Sequence, residues 1–494
     1  MKELLGAFNY LGINQFVSVV FGLIRSKIIA LLLGPFGMGI LNQGNALMEL
    51  VRQIDSLGIS NGFLKLISDY KAHKDEDRLG RTILTTVMLF GAIGVILLVA
   101  SGLLVDKVST WMFDAPDYHW FVLMGVGAGV LSAEYYALMT VFQGMLKWSE
   151  YALVSVVGYA LNLVSMLILI LFFRLWGAII SIVVAQAINV IVAMIVMHRM
   201  VLPEGMGSIF RYRPDISVIK EITQYIGPLS SLALIAAVVT IVIRSEMVQR
   251  LGVDSAGLFA VVYGVSLTYM GLIRNAFNAF GMNKITELLD EPGKMLRVQN
   301  DEIRFGVLLL CPVLLFAMIT RNIWIPVFYS GEFLPAASLL LWWFIGDLTR
   351  TIRVAMNISL LPLDRLRFTL VDGIIDWVGW LVVSLVLLPS IGMEAITVGY
   401  LISGIAALIV AYFYHRSTTP FRIYKVNLVL LGKAAVLLLP GLFLAHYGHD
   451  LLTRWILPMI ILVIMLIWMP SRTEYADLFQ MVQKKLLNRF RKDA

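Results

Sequence analysis

YALVSVVGYALNLVSMLILILFF, residues 151–173, contains no charged side chain and no proline. A run of roughly 20 apolar residues, rising about 1.5 Å per residue as a helix, crosses the ~30 Å hydrocarbon core of a bilayer. A membrane barrel strand needs about ten residues of alternating character, and Leu161–Phe173 does not alternate. In lipid, every backbone N–H and C=O must bond internally, so a helix is the expected form.

Similar runs fill the rest of the chain, at 4–33, 40–67, 82–105, 120–146, 176–198, 224–248, 255–280, 304–328, 334–361, 368–389, 394–414, 425–447 and 450–469. With 151–173 they make fourteen predicted spans in 494 residues. The composition agrees: 59% of residues are hydrophobic, 14% are charged, and the mean hydropathy is +0.85. Soluble domains carry about 25% charged residues, so an ordinary soluble protein is excluded. The apolar stretch after Lys2 is too long for a signal peptide and has no small-residue cleavage pattern. It reads as the first membrane helix. The lone cysteine, Cys311, lies beside Pro312 in an apolar run and reads as a packing residue.

The net charge of +7 is not spread evenly. Lys and Arg crowd into alternate loops, among them 68–81, 199–223, 281–303 and the tail 470–494. The positive-inside rule then places both termini in the cytoplasm. It also argues against a nucleic-acid partner, because topology accounts for the basic residues. The tail, with Lys484, Lys485, Arg489, Arg491 and Lys492, reads either as an amphipathic helix on an anionic leaflet or as a solvated tail. The loop at 201–223 reads as a cytoplasmic linker between an N-lobe (1–200) and a C-lobe (224–414), followed by two further helices at 425–469. A repeat signal supports two halves. Leu33-Gly34 followed by Gly39 is echoed by Leu251-Gly252 followed by Gly257, at an offset of about 218 residues. An even number of helices per repeat makes the halves parallel.

Charges inside membrane helices are costly and mark function. Asn14, Ser18, Gly22, Arg25 and Ser26 share one face of the first helix; Asn42, Asn45, Glu49, Arg52 and Ser56 make a polar stripe down the second. Further along stand Glu134, then Thr240 and Arg244, then Asp347, Arg350 and Arg353, then Asp372 and Asp376. One reading of Glu49–Arg52 and Asp347–Arg350 is i,i+3 ion pairing, and Arg25 and Arg244 can snorkel. In the other reading the arginines, with Asn14 and Asn42, bind an anionic group. Guanidinium offers a planar fork that suits phosphate and keeps its charge at any depth. The acids Glu49, Glu134, Asp347, Asp372 and Asp376 then balance charge or take a coupling cation. The chain has no Walker-type loop, no spaced His/Cys cluster and no nucleophile–base constellation. The reading is a transporter rather than an enzyme, with no metal and no cofactor.

Four segments carry a family resemblance: LLLGPFGMGI (31–40), GISNGFLKLISDY (58–70), EFLPAASLLLWWFIGDLTRT (332–351) and DRLRFTLVDG (364–373). With them the chain resembles the polysaccharide flippases of the MOP superfamily, the Wzx-type translocases of lipid-linked oligosaccharides. The Gly-Ile-x-Asn-Gly and Trp-x-x-Gly-Asp segments look most like the enterobacterial common antigen branch, and the likeness spans almost the whole chain. It implies an all-α membrane fold with two pseudo-symmetric six-helix lobes around a central cationic cavity, plus two C-terminal helices. It also implies alternating access and an undecaprenyl-pyrophosphate-linked oligosaccharide moved to the outer leaflet of the bacterial inner membrane. The implied partners are membrane lipids, a glycan polymerase and a chain-length regulator of O-antigen or lipopolysaccharide assembly. Related lipid II flippases carry arginines where Arg25 and Arg52 fall, but Ser26 stands where they often have an acid. Two rivals stay open on sequence: a multidrug or cation antiporter of the same superfamily, and a non-transporting scaffold of a glycan assembly complex.

Overall fold

A computed structural model describes residues 2–56, 60–201, 212–224 and 227–470, and among these it contains helices and no strand. In order they are α1 (Lys2–Asp55), α2 (Ser60–Ala72), α3 (Glu76–Phe113), α4 (His119–Gly144), α5 (Trp148–Val196), α6 (Ile216–Thr223), α7 (Pro228–Leu251) and α8 (Val253–Phe277). Then come α9 (Asn283–Glu287), α10 (Pro292–Ile319), α11 (Arg321–Phe328), α12 (Leu340–Asn357), α13 (Leu366–Ile391), α14 (Glu394–Thr418), α15 (Lys425–Tyr447) and α16 (Leu457–Trp468).

Ten of the described helices are long and apolar enough to cross a membrane. Two of these break inside, α1 at Gly34 (φ 62°) and α5 at Arg174 (φ 52°), so each supplies two spans. With the shorter apolar segment Leu452–Trp468 and the charge-bearing α12, the described residues give fourteen. The chain is thus an all-α membrane protein of about fourteen transmembrane helices. Long apolar side chains face outward: Val95, Ile96, Val99 and Leu103 of α3 are 60–81% exposed. They fall on one helical face, as a lipid-facing surface requires.

Some element boundaries differ from the hydropathy reading. The run 40–67 is two helices, one ending at Asp55 and the next opening at Ser60. Phe63, Leu66, Ile67 and Tyr70 form an i, i+3, i+4, i+7 face on α2 and pack into a core with α3, α4 and α6. The loop 281–303 is largely helical, because α10 starts at Pro292 and buries Met295, Leu296, Gln299, Asn300 and Ile303 on one face. Hydropathy sees only the part of a helix that lies in hydrocarbon. Asp215 caps α6 by accepting from the Ser217 hydroxyl (2.7 Å) and amide (2.9 Å). Those donors hold its carboxyl below the usual range. Linker positions 202–211 and the tail 471–494 lie outside the described residues.

The chain divides into two compact units. The first comprises Met1–Thr268, Ile325–Ala336 and Leu366–Ser403; the second comprises Tyr269–Trp324, Ala337–Arg365 and Gly404–Ala494. In the second, α10 is the central helix, packed by α12, α15 and α16, with Cys311 fully buried. Asn300 ties α10 to α15 by donating to the Arg422 carbonyl (3.0 Å) and accepting from the Tyr424 amide (2.8 Å).

In the first unit the glycine repeat acquires a geometry. Gly34 (φ 62°, ψ −166°) and Gly252 (φ 82°, ψ 165°) occupy the same corner of backbone space, one open to glycine. Their repeat partners Gly39 and Gly257 pack against each other's segments. A Cβ on Gly39 would lie 2.3 Å from the Val253 carbonyl oxygen, and one on Gly257 would lie 2.0 Å from that of Pro35. Reciprocal contacts of this kind are what two related copies of one turn make when they meet about a two-fold axis.

Candidate anion site on the first helix

Most cations within the apolar helices have a partner among the described residues. Lys27 donates to the carbonyls of Pro326 (2.8 Å) and Tyr329 (2.6 Å), where α11 ends. Arg321 donates to the carbonyls of Met318 (2.8 Å) and His446 (3.3 Å), in the last turns of α10 and α15. Lys433 does the same for α16 through the Trp468 carbonyl at 2.7 Å. Each neutralises the negative end of a helix.

Arg52 is occupied in another way. Its Nε donates to Glu49 Oε2 at 3.0 Å, a second guanidinium nitrogen meets Glu49 Oε1, and its Cζ lies 4.2 Å from the Tyr136 ring centroid. Gln53 Nε2 also donates to Glu49 Oε1, at 2.8 Å. The polar stripe on the second arm of α1 is therefore largely satisfied by itself. Asn42 spends its amide on the Met38 carbonyl one turn back, at 2.8 Å. Arg244 is 5% exposed. It donates to the Asn42 carbonyl at 2.8 Å and lies over the Tyr263 ring at 5.2 Å.

Arg25 differs. It makes no hydrogen bond and no ion pair with the described residues. It lines a cavity of about 290 Å³ between the first arm of α1 and the two arms of α5. Ser18 and Gly22 come from α1; Tyr159, Asn162, Ser181, Gln186 and Asn189 come from α5. The cavity lining contains no acid. The break at Arg174 folds α5 back on itself, so that Asn162 Nδ2 reaches Asn189 Oδ1 at 3.0 Å. Gly158 permits this approach, since a Cβ there would lie 2.6 Å from Asn189 Oδ1. The result is one cation among amides and hydroxyls. Such a set pairs with an anionic oxygen through the guanidinium fork and with hydroxyl or acylamino groups through the amides.

The other sequence-nominated residues divide between the units. Asn14, Asn42, Glu49, Arg52, Glu134, Arg244, Asp372 and Asp376 belong to the first, together with Arg25. Asp347, Arg350 and Arg353 belong to the second, all buried on α12. Tyr269 donates its hydroxyl to Asp347 Oδ2. Asp372 and Asp376 are each 5% exposed on α13, the helix that packs on α7. Asn14 Oδ1 is buried without a donor. The α5 residues Tyr159, Asn162, Gln186 and Asn189 were not nominated by sequence. Their i,i+3 pairs, 159 with 162 and 186 with 189, are the signal present, but the separation of 27 positions between Asn162 and Asn189 hides that they meet. Among the described residues no group of three or more His, Cys, Asp or Glu is placed to hold a metal ion.

No family model matches the chain. It is 21% identical over 394 residues to a lipid III flippase of Escherichia coli, covering 77% of this chain and 90% of that protein. The same figures hold for a lipid III flippase of Shigella flexneri. Among solved structures, the fold matches the lipid II flippase MurJ in an inward closed conformation (TM-score 0.73, 13% identity, 95% of this chain and 99% of that one). It also matches an inward-facing multidrug resistance MATE family transporter of the MOP superfamily (TM-score 0.72, 14% identity, 83% and 97%). The chain is a distant homologue of lipid III flippase and has the fold of MOP superfamily transporters.

Proposed function

We propose that this protein is a flippase that carries an undecaprenyl-pyrophosphate-linked oligosaccharide from the cytoplasmic to the periplasmic leaflet of a bacterial inner membrane. One observation carries the reading: Arg25 stands without a partner among the described residues, in an acid-free cavity lined by amides and hydroxyls. A permanent cation left unpaired inside a membrane protein is retained for an anion that arrives from outside the protein. The distant likeness to lipid III flippase and the fold shared with a lipid II flippase support the lipid-linked substrate.

In this reading Arg25 is the principal contact to the pyrophosphate or an acidic sugar. Asn162, Gln186 and Asn189 bind neighbouring hydroxyl or acylamino groups. Arg52, Arg244, Arg350 and Arg353 take secondary parts once their present contacts rearrange. The N-lobe (1–200) and C-lobe (224–414) work by alternating access, with both termini in the cytoplasm. The membrane potential or an ion gradient supplies the drive; one charge moving through 100 mV is worth about 2.3 kcal/mol. An exporter of cationic drugs needs acids around its substrate, and the Arg25 cavity has none.

The test is transfer of a labelled lipid-linked sugar across the membrane of cells that lack their own flippase and express this chain. Restored surface glycan with unchanged drug sensitivity is the expected result. Drug resistance without glycan transfer would move the assignment to the exporter class.

A further inference from the structure

We propose that Asp55 and Glu134 form a proton-binding site in the first unit, separate from the Arg25 cavity. Asp55 is the last residue of α1 and is fully buried. Neither of its carboxyl oxygens has a hydrogen-bond donor among the described residues. The nearest basic residue on its own helix, Arg52, is held by Glu49 and Tyr136.

Space has been left for this carboxyl group. It faces Gly94 of α3, where a Cβ would stand 3.3 Å from Asp55 Oδ2 and 2.4 Å from Val130 Cγ1. One turn back, Gly91 faces Glu134, with Oε1 3.4 Å from a Cβ placed there. The two carboxyl groups thus lie over the same glycine face of α3, at positions three residues apart. The surrounding elements bring little else that titrates. On α1 there are Glu49 and Arg52, already paired. On α3 nothing between Thr86 and Asp106 is titratable. On α4 there are Glu134, Tyr135 and Tyr136. Lys65 of α2 is exposed, and Arg244 of α7 is held at Asn42.

Three physical costs bear on an ionised Asp55: no donor among the described residues, burial within a membrane span, and a place at the negative end of a helix. A second carboxyl close by adds repulsion. A proton relieves all four at once. A metal ion does not fit as well, because Na⁺, Mg²⁺ or Ca²⁺ needs about six oxygen ligands, and Gly94 and the Val130 methyls offer none. A structural polar residue here would serve equally well as Asn. A carboxyl is the choice when the proton must come and go. If the transport reading holds, the exchange of this proton between the two sides of the membrane couples a proton gradient to flipping. Proton binding itself does not depend on that reading.

The experiment is infrared difference spectroscopy of the full chain in lipid nanodiscs across a pH series, with wild type, Asp55→Asn and Glu134→Gln compared. The expected result is a protonated-carboxyl C=O band in wild type that titrates and is lost or shifted in Asp55→Asn. Glu134→Gln shifts the titration of the band that remains, and this second variant covers the case in which Asp55→Asn fails to fold. A wild-type band unchanged in both variants overturns the proposal, as does a band that answers to sodium rather than to pH. Loss of the band in Asp55→Asn supports the site even where wild type flips no lipid-linked sugar. That last outcome removes the transport reading alone.

Discussion

Arg25 and Arg52 sit on the two arms of one helix broken at Gly34, each on a polar stripe of similar spacing, yet their surroundings are opposite. Arg52 carries its own counter-ion three residues back and stacks on a tyrosine. Arg25 faces a cavity of amides with no acid. The difference teaches that a charge in a membrane helix is not by itself a site. On the proposed function, arginines matched by the protein chiefly hold the fold, and one with no partner among the described residues is the principal contact for a substrate.

The comparison breaks most readily by reversing the charge. Arg25→Glu removes the fork and adds repulsion toward phosphate. The flipping rate in proteoliposomes is expected to fall by about 100-fold or more, with thermal unfolding little changed. A fall of that size for a charge change at Lys433 would remove the distinction, since Lys433 only caps α16. Next in size is Glu49→Ala, which leaves Arg52 inside the protein without its carboxylate. Hydrogen bonds to charged groups contribute about 1.5–3 kcal/mol. Glu49 is 43% exposed, so the stability loss should lie at or below the low end of that range. Unfolding in detergent measures it, and Glu49→Ala with Arg52→Ala should recover most of the loss. Smallest is Asn189→Ala, which removes one neutral partner from the Arg25 cavity. The cost of about 1 kcal/mol corresponds to roughly a five-fold weaker apparent affinity for the lipid-linked sugar. An effect on unfolding alone would make Asn189 a helix-packing residue.

Hydropathy was enough for the fold, because fourteen runs without a soluble alternative leave one class of structure. The repeat was legible too: Gly34 and Gly252 share a conformation, and Gly39 meets the turn that holds Gly257. Helix ends were less legible. The polar first turns of α10 pack on one face outside hydrocarbon, where mean hydropathy is silent. In the site, periodicity grouped Ser18, Gly22 and Arg25 correctly on one face. It did not find Asn162, Gln186 and Asn189, because a single amide in an apolar run looks like a tolerated polar residue until the hairpin at Arg174 brings the amides together. Nor did it single out Asp55, which is not one of the stripe residues Asn42, Asn45, Glu49, Arg52 and Ser56. Its lack of a donor among the described residues is visible only once Gly94 and Val130 are seen around it.

The central claim is that Arg25, with no partner among the described residues, and not the paired Arg52, is the principal contact to the substrate. The direct measurement is the flipping rate of a fluorescent undecaprenyl-pyrophosphate-linked sugar in proteoliposomes, with Arg25→Ala set beside the double variant Glu49→Ala/Arg52→Ala. The account predicts a loss of about 10- to 100-fold for Arg25→Ala and a rate within a few-fold of wild type for the double variant. Wild-type flipping by Arg25→Ala, with the double variant inactive though folded, would contradict it.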